Sequence, residues 1–292
     1  MRKEFVDAVV NEIKSIVGDN TEVNAAEVFK NNKILTGITV RMENATVVPT
    51  VYLENYEKEN DIRKIAREIV EDIADTRINA PQFDTKEITS LDYIKKNVSL
   101  RLINYEKNKG MLENIAHIEF LDLAMICCVN VAKDAVYKVS NSMLNHIGIT
   151  KEALFEIAKE NTPNLYKVSG RNILDILGDL KSCNESHVGL DDFSVSELPM
   201  YVLTNEQKCF GAVTILYDGV LSTLANQIDS DIVILPSSLH ETILIPYDAE
   251  TDFTYVKEMV SEINGSEVAE DEVLSDNIYL YCRNTGLISI LN

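Results

Sequence analysis

Short apolar, β-branched runs that come in adjacent pairs constrain this chain more than any other feature. Ile34–Val40 is followed by Val47–Leu53, Phe120–Val131 by Ala135–Val139, and Asp231–Leu235 by Glu241–Pro246. Only a few residues separate the members of a pair, among them Glu43-Asn44-Ala45 in the first and Lys133-Asp134 in the second. A parallel crossover needs a dozen or more residues, so runs this close together return antiparallel. Helical stripes lie between the pairs. Phe5, Val9 and Ile13 recur at helical spacing, and Ile62, Ile65, Ala66, Ile69, Val70 and Ile73 make the strongest stripe. Asp61, Thr150 and Asp252 precede helical stretches as candidate N-caps. The expected fold class is therefore α+β, with mixed or antiparallel sheets and packed helices, and not a doubly wound parallel sheet. Two subdomains are expected, an N-terminal one over residues 1–118 and a C-terminal one over residues 119–292.

Several local readings follow from residue chemistry. Pro49 has no amide hydrogen, so the strand that holds it is expected at a sheet edge or bulged there. Residues 79–90 read as a linker and 182–197 as an exposed polar loop. Asn161-Thr162-Pro163 reads as a helix end, because proline cannot continue the ladder. Met200–Leu203 and Phe210–Leu216 read as strands on either side of Asn205-Glu206. The helix after Asp252 carries Phe253, Val256, Met259, Val260 and Ile263 as its apolar stripe.

Composition enters where partners are concerned. The net charge is -20, so the chain repels nucleic-acid phosphates wherever its surface does not reverse locally. Nucleic acid is not an expected partner, except through mimicry toward a nucleic-acid-binding protein. Acidic side chains on solvated helix faces explain the charge plainly, and a basic partner protein explains it functionally. The five cysteines are odd in number and irregular in spacing, and no C-x-x-C pair occurs. Cys127 and Cys128 sit in an apolar run and read as small core residues. Neither a disulfide framework nor a zinc knuckle is expected. No run has the length and apolarity of a membrane span, and the first residues are amphipathic, so the expected setting is cytoplasmic.

The search for chemistry finds incomplete motifs. Neither Gly-rich phosphate loop occurs, nor does a G-x-S-x-G elbow. His240-Glu241 starts an H-E-x-x-H pattern, but Leu244 stands where the second histidine is required. His117-Ile118-Glu119 matches the first half of a deaminase motif without the P-C-x-x-C that completes it. No metal ligands and no cofactor are expected.

Two clusters remain as candidate binding residues. In the first, Arg101, Asn104, Tyr105 and Asn108 lie in a locally basic stretch that ends at Lys109. Its plain reading is a strand end turned and capped by the two asparagines. Its functional reading is an anion or peptide contact. The second is Ser237, Ser238, His240 and Glu241, between two strands. A turn with side-chain bonds to its own backbone is the plain reading. A Ser–His nucleophilic pair is the functional one.

Segments of the chain look like a known family. Asn31–Leu53 (NNKILTGITVRMENATVVPTVYL), Leu102–Asn108 (LINYEKN), Phe120–Ala124 (FLDLA), Ile147–Pro163 (IGITKEALFEIAKENTP) and Met200–Pro246 (ending ILPSSLHETILIP) resemble an uncharacterised bacterial family, domain of unknown function 5688. From about Phe120 the chain also resembles, more distantly, the uncharacterised family numbered 1444. The resemblance implies a bacterial or phage-related cytoplasmic protein and supplies no activity or catalytic residue. The expectation is thus a non-enzymatic interaction or accessory protein with a protein partner. The alternatives are an enzyme of unfamiliar type with a site near His240 and Asn104, or a small-ligand binding module.

Overall fold

The computed structural model describes residues 3–18, 21–41, 48–79, 83–132, 135–172, 200–236 and 238–291. The chain divides into two compact units, residues 1–90 and 91–292. Residues 91–118 belong to the second unit, because their strand pairs within it.

The first unit begins with α1 (Lys3–Val17), then β1 (Glu22–Lys30), β2 (Lys33–Arg41) and β3 (Thr50–Tyr52), and ends with α2 (Ile62–Asn79) and the short α3 (Thr85–Ile88). The strands form an antiparallel sheet in the order β1-β2-β3. The two long helices bring Val9, Ile13, Ile65, Ala66, Ile69 and Ile73 against Val23, Ile38, Val40 and Val51 of the sheet. Each of these valine and isoleucine side chains contributes about 1.5–3 kcal/mol on full burial. Asp61 caps α2 as expected, accepting from the amides of Arg63 and Lys64 at 3.0 and 3.3 Å. β3 lies at the edge, one of the two placements expected from Pro49, which directly precedes it. It ends one residue too early to pair with Thr36, and the Glu54 carboxylate takes that amide instead, at 2.8 and 3.0 Å. β1 has no counterpart in the sequence reading. Among its residues only Val23 is buried, so no alternation marks it. It is a strand because it pairs with β2 from Glu22↔Arg41 to Lys30↔Lys33, with Asn32 left-handed in the turn.

The described residues of the second unit form two antiparallel sheets. α4 (Leu91–Asn97) leads into β4 (Val98–Asn104), which pairs with β6 (Leu123–Ala132). The other edge of β6 is shared end to end by β5 (His117–Phe120) and β7 (Ala135–Lys138). α5 (Lys109–Leu112) connects β4 to β5. α6 (Asn141–Ile147) and α7 (Lys151–Leu165) follow β7. Beyond them come β8 (Val168–Asn172), β9 (Tyr201–Asn205), α8 (Val220–Ile228), β10 (Ile232–Leu235), β11 (Thr242–Pro246), α9 (Phe253–Ser266), β12 (Ile278–Cys282) and β13 (Leu287–Leu291). The strands from β8 onward form one sheet in the order β13-β12-β10-β11-β9-β8, every neighbouring pair antiparallel. Alternation splits its two faces. Ile232, Ile234, Tyr279 and Tyr281 face the main core, whereas Val233, Ile278 and Leu280 lie beneath Val256 and Val260 of α9.

Three local expectations are corrected. Phe120–Val131 is not one strand: Phe120 ends β5, Leu121 takes φ 56°, and β6 starts at Leu123. Phe210–Leu216 is not a strand: Gly211–Leu216 is a buried 3-10 helix. An apolar run this short does not separate the two by periodicity. The helix at Asn161-Thr162-Pro163 does not stop there, and α7 continues to Leu165. Its last carbonyls are held by the hydroxyl of Tyr217, which donates to Tyr166 at 2.8 Å and to Thr162 at 3.4 Å. The loop expected at 182–197 lies outside the described residues.

Candidate functional site

The two clusters picked from the sequence meet in the second unit, and Phe210 joins them. Arg101, on β4, lays its guanidinium 3.7 Å from the centre of the Phe210 ring. No carboxylate among the described residues forms an ion pair with it. On the other side, the rings of Phe210 and His240 lie 5.5 Å apart at 47°. Phe210 itself is held left-handed, at φ 52° and ψ 34°. That is an unusual conformation for a bulky residue, and it persists only where the surroundings over-determine it. They do here. The Phe210 amide donates to His240 Nδ1 at 3.3 Å, and the next residue, Gly211, has no room for a Cβ against Thr204 and the His240 carbonyl.

His240 and Ser238 are tied to their surroundings through the polar atoms that chemistry would use. With Nδ1 accepting, the ring proton sits on Nε2, which faces Glu272 Oε1 at 3.5 Å. The His240 carbonyl accepts from the Thr204 hydroxyl at 2.6 Å. The His240 amide donates to Ser238 Oγ at 3.0 Å, so the serine hydroxyl serves the backbone and not the imidazole. Ser238 also bridges to Val273, and the Leu239 amide donates to the Glu272 carbonyl at 2.9 Å. Glu241 is half-buried, and Ser237 lies outside the described residues.

The first cluster is anchored to the same 272–275 stretch. Asn104 donates from Nδ2 to the Leu274 carbonyl at 3.0 Å and accepts the Lys107 amide at 2.8 Å. Asn108, 2% exposed, donates to the Asn104 carbonyl at 2.8 Å. Both asparagines therefore turn and tie the backbone. The ring of Tyr105 lies 6.1 Å from that of His117, and its amide donates to the Asp122 carbonyl at 3.1 Å. Asp122 accepts from Ser275 Oγ at 2.6 Å, Asn277 Nδ2 at 2.9 Å and the Tyr279 hydroxyl at 2.5 Å. Burial and this carboxylate push the Tyr279 phenol well above the usual tyrosine range. Phe210, Asp122 and Glu272 have no linear signature, since each acts on residues distant in the chain.

The convergence is a packed contact. A cavity of about 640 Å³ opens between β8, β9 and the start of α8, lined by Gly170, Leu203, Asp218 and Leu224. A second of about 430 Å³ lies against Lys159, Pro163 and Tyr217. None of the sequence-predicted residues lines either one. Among the described residues, no three His, Cys, Asp or Glu side chains gather as metal ligands would, and no helix is long and apolar enough to cross a membrane.

Charge is concentrated elsewhere in the unit. Between Asp248 and Asp276 the chain carries ten carboxylates against the single Lys257, so this stretch supplies nine of the net twenty negative charges. Nearly all of these carboxylates are exposed, on α9 and on the turns that flank it. The outer face of α9 also leaves Tyr255, Met259 and Ile263 at 63, 40 and 42% exposure. No curated protein and no solved structure matches the chain. Residues 2–283 match the profile of a family of unknown function, DUF5688, and the chain belongs to that family.

Proposed function

We propose that this protein is a non-catalytic binding factor that meets a basic partner protein through the acidic surface built on α9. The observation that carries the reading is the gathering of ten carboxylates, with one lysine among them, along Asp248–Asp276. Like charges this close destabilise the compact state, and Lys257 alone within the stretch is too little to offset them. An opposing basic surface would do so, and would also speed encounter. Two of the candidate groups are otherwise engaged. His240 uses both ring nitrogens, and Ser238 serves a backbone amide. Glu258→Lys/Glu262→Lys reverses the exposed face of α9 without touching its packed side. Partner capture from a native lysate should succeed at about 50 mM salt, weaken several-fold by about 300 mM, and fail with the double variant. Capture that ignores both salt and charge reversal would sink the reading.

A further inference from the structure

The outer face of α9 carries a second feature that charge does not explain. Tyr255, Met259 and Ile263 follow one another at i, i+4 and i+8, which places them in one continuous ridge along the helix. Their exposures are 63, 40 and 42%. Single exposed apolar side chains are ordinary, but three in line on one helix form a contiguous stripe. The core does not need them. The packed side of α9 is supplied by Phe253, Val256 and Val260, with Asn264 tied to the Ser275 carbonyl at 2.9 Å. Glu258 and Glu262 lie three residues on from Tyr255 and Met259, so they line the flank of the ridge that faces away from the sheet.

We propose that this ridge docks an amphipathic, net-basic α-helix of a partner protein. This rests on the acidic-surface reading above and names the partner's chemistry. Two helices pack by setting the i±4 ridge of one beside that of the other, with the axes about 8–10 Å apart. Apolar side chains on the incoming helix cover Tyr255, Met259 and Ile263. Lysines or arginines beside them then reach Glu258 and Glu262, as flanking charges set partner choice in paired helices. Met259 adapts its shape to the incoming side chain. The same flank argues against a second copy of this chain, since a two-fold contact on this face would bring Glu258 and Glu262 against their own kind.

The test uses the full chain as bait for a displayed library of random peptides about 16 residues long, enough to cover the helix. The probes are the enriched peptides, made synthetically and measured by fluorescence anisotropy at low salt. They should be net basic, with apolar residues at i, i+4 and i+7 or i+8. Binding should weaken about ten-fold or more with Met259→Asp, and likewise with Glu258→Lys/Glu262→Lys, while each variant keeps the parent melting temperature. The proposal is overturned if no peptide is enriched, if the enriched peptides are not basic, or if Met259→Asp leaves binding unchanged. It is overturned as well if sedimentation shows a dimer that Met259→Asp dissolves, because the occupant is then a second copy. If lysate capture survives Met259→Asp but not the charge reversal, the acidic reading stands and the ridge does not.

Discussion

Asp122 accepts three hydrogen bonds from side chains more than 150 positions away, and one of its donors is the hydroxyl of the fully buried Tyr279. Removing it leaves that hydroxyl and the buried Ser275 hydroxyl without their acceptor. An unmet buried polar group costs about 1–3 kcal/mol, so Asp122→Ala should lower stability by roughly 2–4 kcal/mol. Urea unfolding should show the midpoint falling with little change in slope, and a loss under about 0.5 kcal/mol would refute this account. No local pattern gives Asp122 a role: Phe120-Leu121-Asp122-Leu123 reads as part of an apolar run. Asn104 and Asn108 were legible as turn residues, and the structure gives them that work. Arg101 and His240 were legible as candidates, but their shared partner, Phe210, was not. Its role depends on a left-handed backbone that only the surrounding contacts impose.

Among the elements, α2 carries its start signal openly. Upstream of it, Glu59 accepts from the amides of Asn60 and Asp61 at 2.9 and 3.1 Å and from Lys64 Nζ at 2.5 Å. The Lys64 hydrogen bond comes first and the two amides second in holding the Glu59 carboxyl near 2, below the usual 4.5. Because the folded value is the lower one, this contribution to stability is present above pH 4.5 and is lost as pH falls toward 2. A side-chain carboxyl titration by NMR should therefore find Glu59 well below 4.5, and Lys64→Ala should raise it. A titration near 4.5 in the parent would contradict the geometry. α9 shows the opposite limit of local reading. Its cap was visible, and Asp252 accepts from Thr254 and Tyr255 at 3.0 and 3.2 Å. Its apolar stripe, however, is divided in the structure. Val256 and Val260 face the sheet, and Met259 and Ile263 face out. A helical pattern gives an apolar arc, and the width of the covering sheet decides how much of that arc is used. β1 is the matching case among strands, since its pairing with β2 and not its burial makes it a strand.

At the scale of the molecule, each unit has a core of its own. Val9, Ile13, Ile38, Ile65 and Ile69 belong to one, and Leu102, Leu123, Ile126, Ile232 and Tyr279 to the other. A chain of residues 91–292 should then fold alone, with dispersed NMR signals and one cooperative thermal transition. Broad, non-cooperative melting would contradict a self-sufficient core. Local chemistry was enough for the α+β class, the antiparallel pairing, most helices with their caps, and the lack of complete catalytic motifs, because these depend on neighbours within a turn or a hairpin. Tertiary packing decided the rest. It placed the division at Ser90, turned Gly211–Leu216 into a helix, carried α7 past Pro163, joined Arg101 to His240 through Phe210, and left one ridge of α9 uncovered. Those outcomes rest on contacts between residues far apart in the chain, whose energies no local pattern contains.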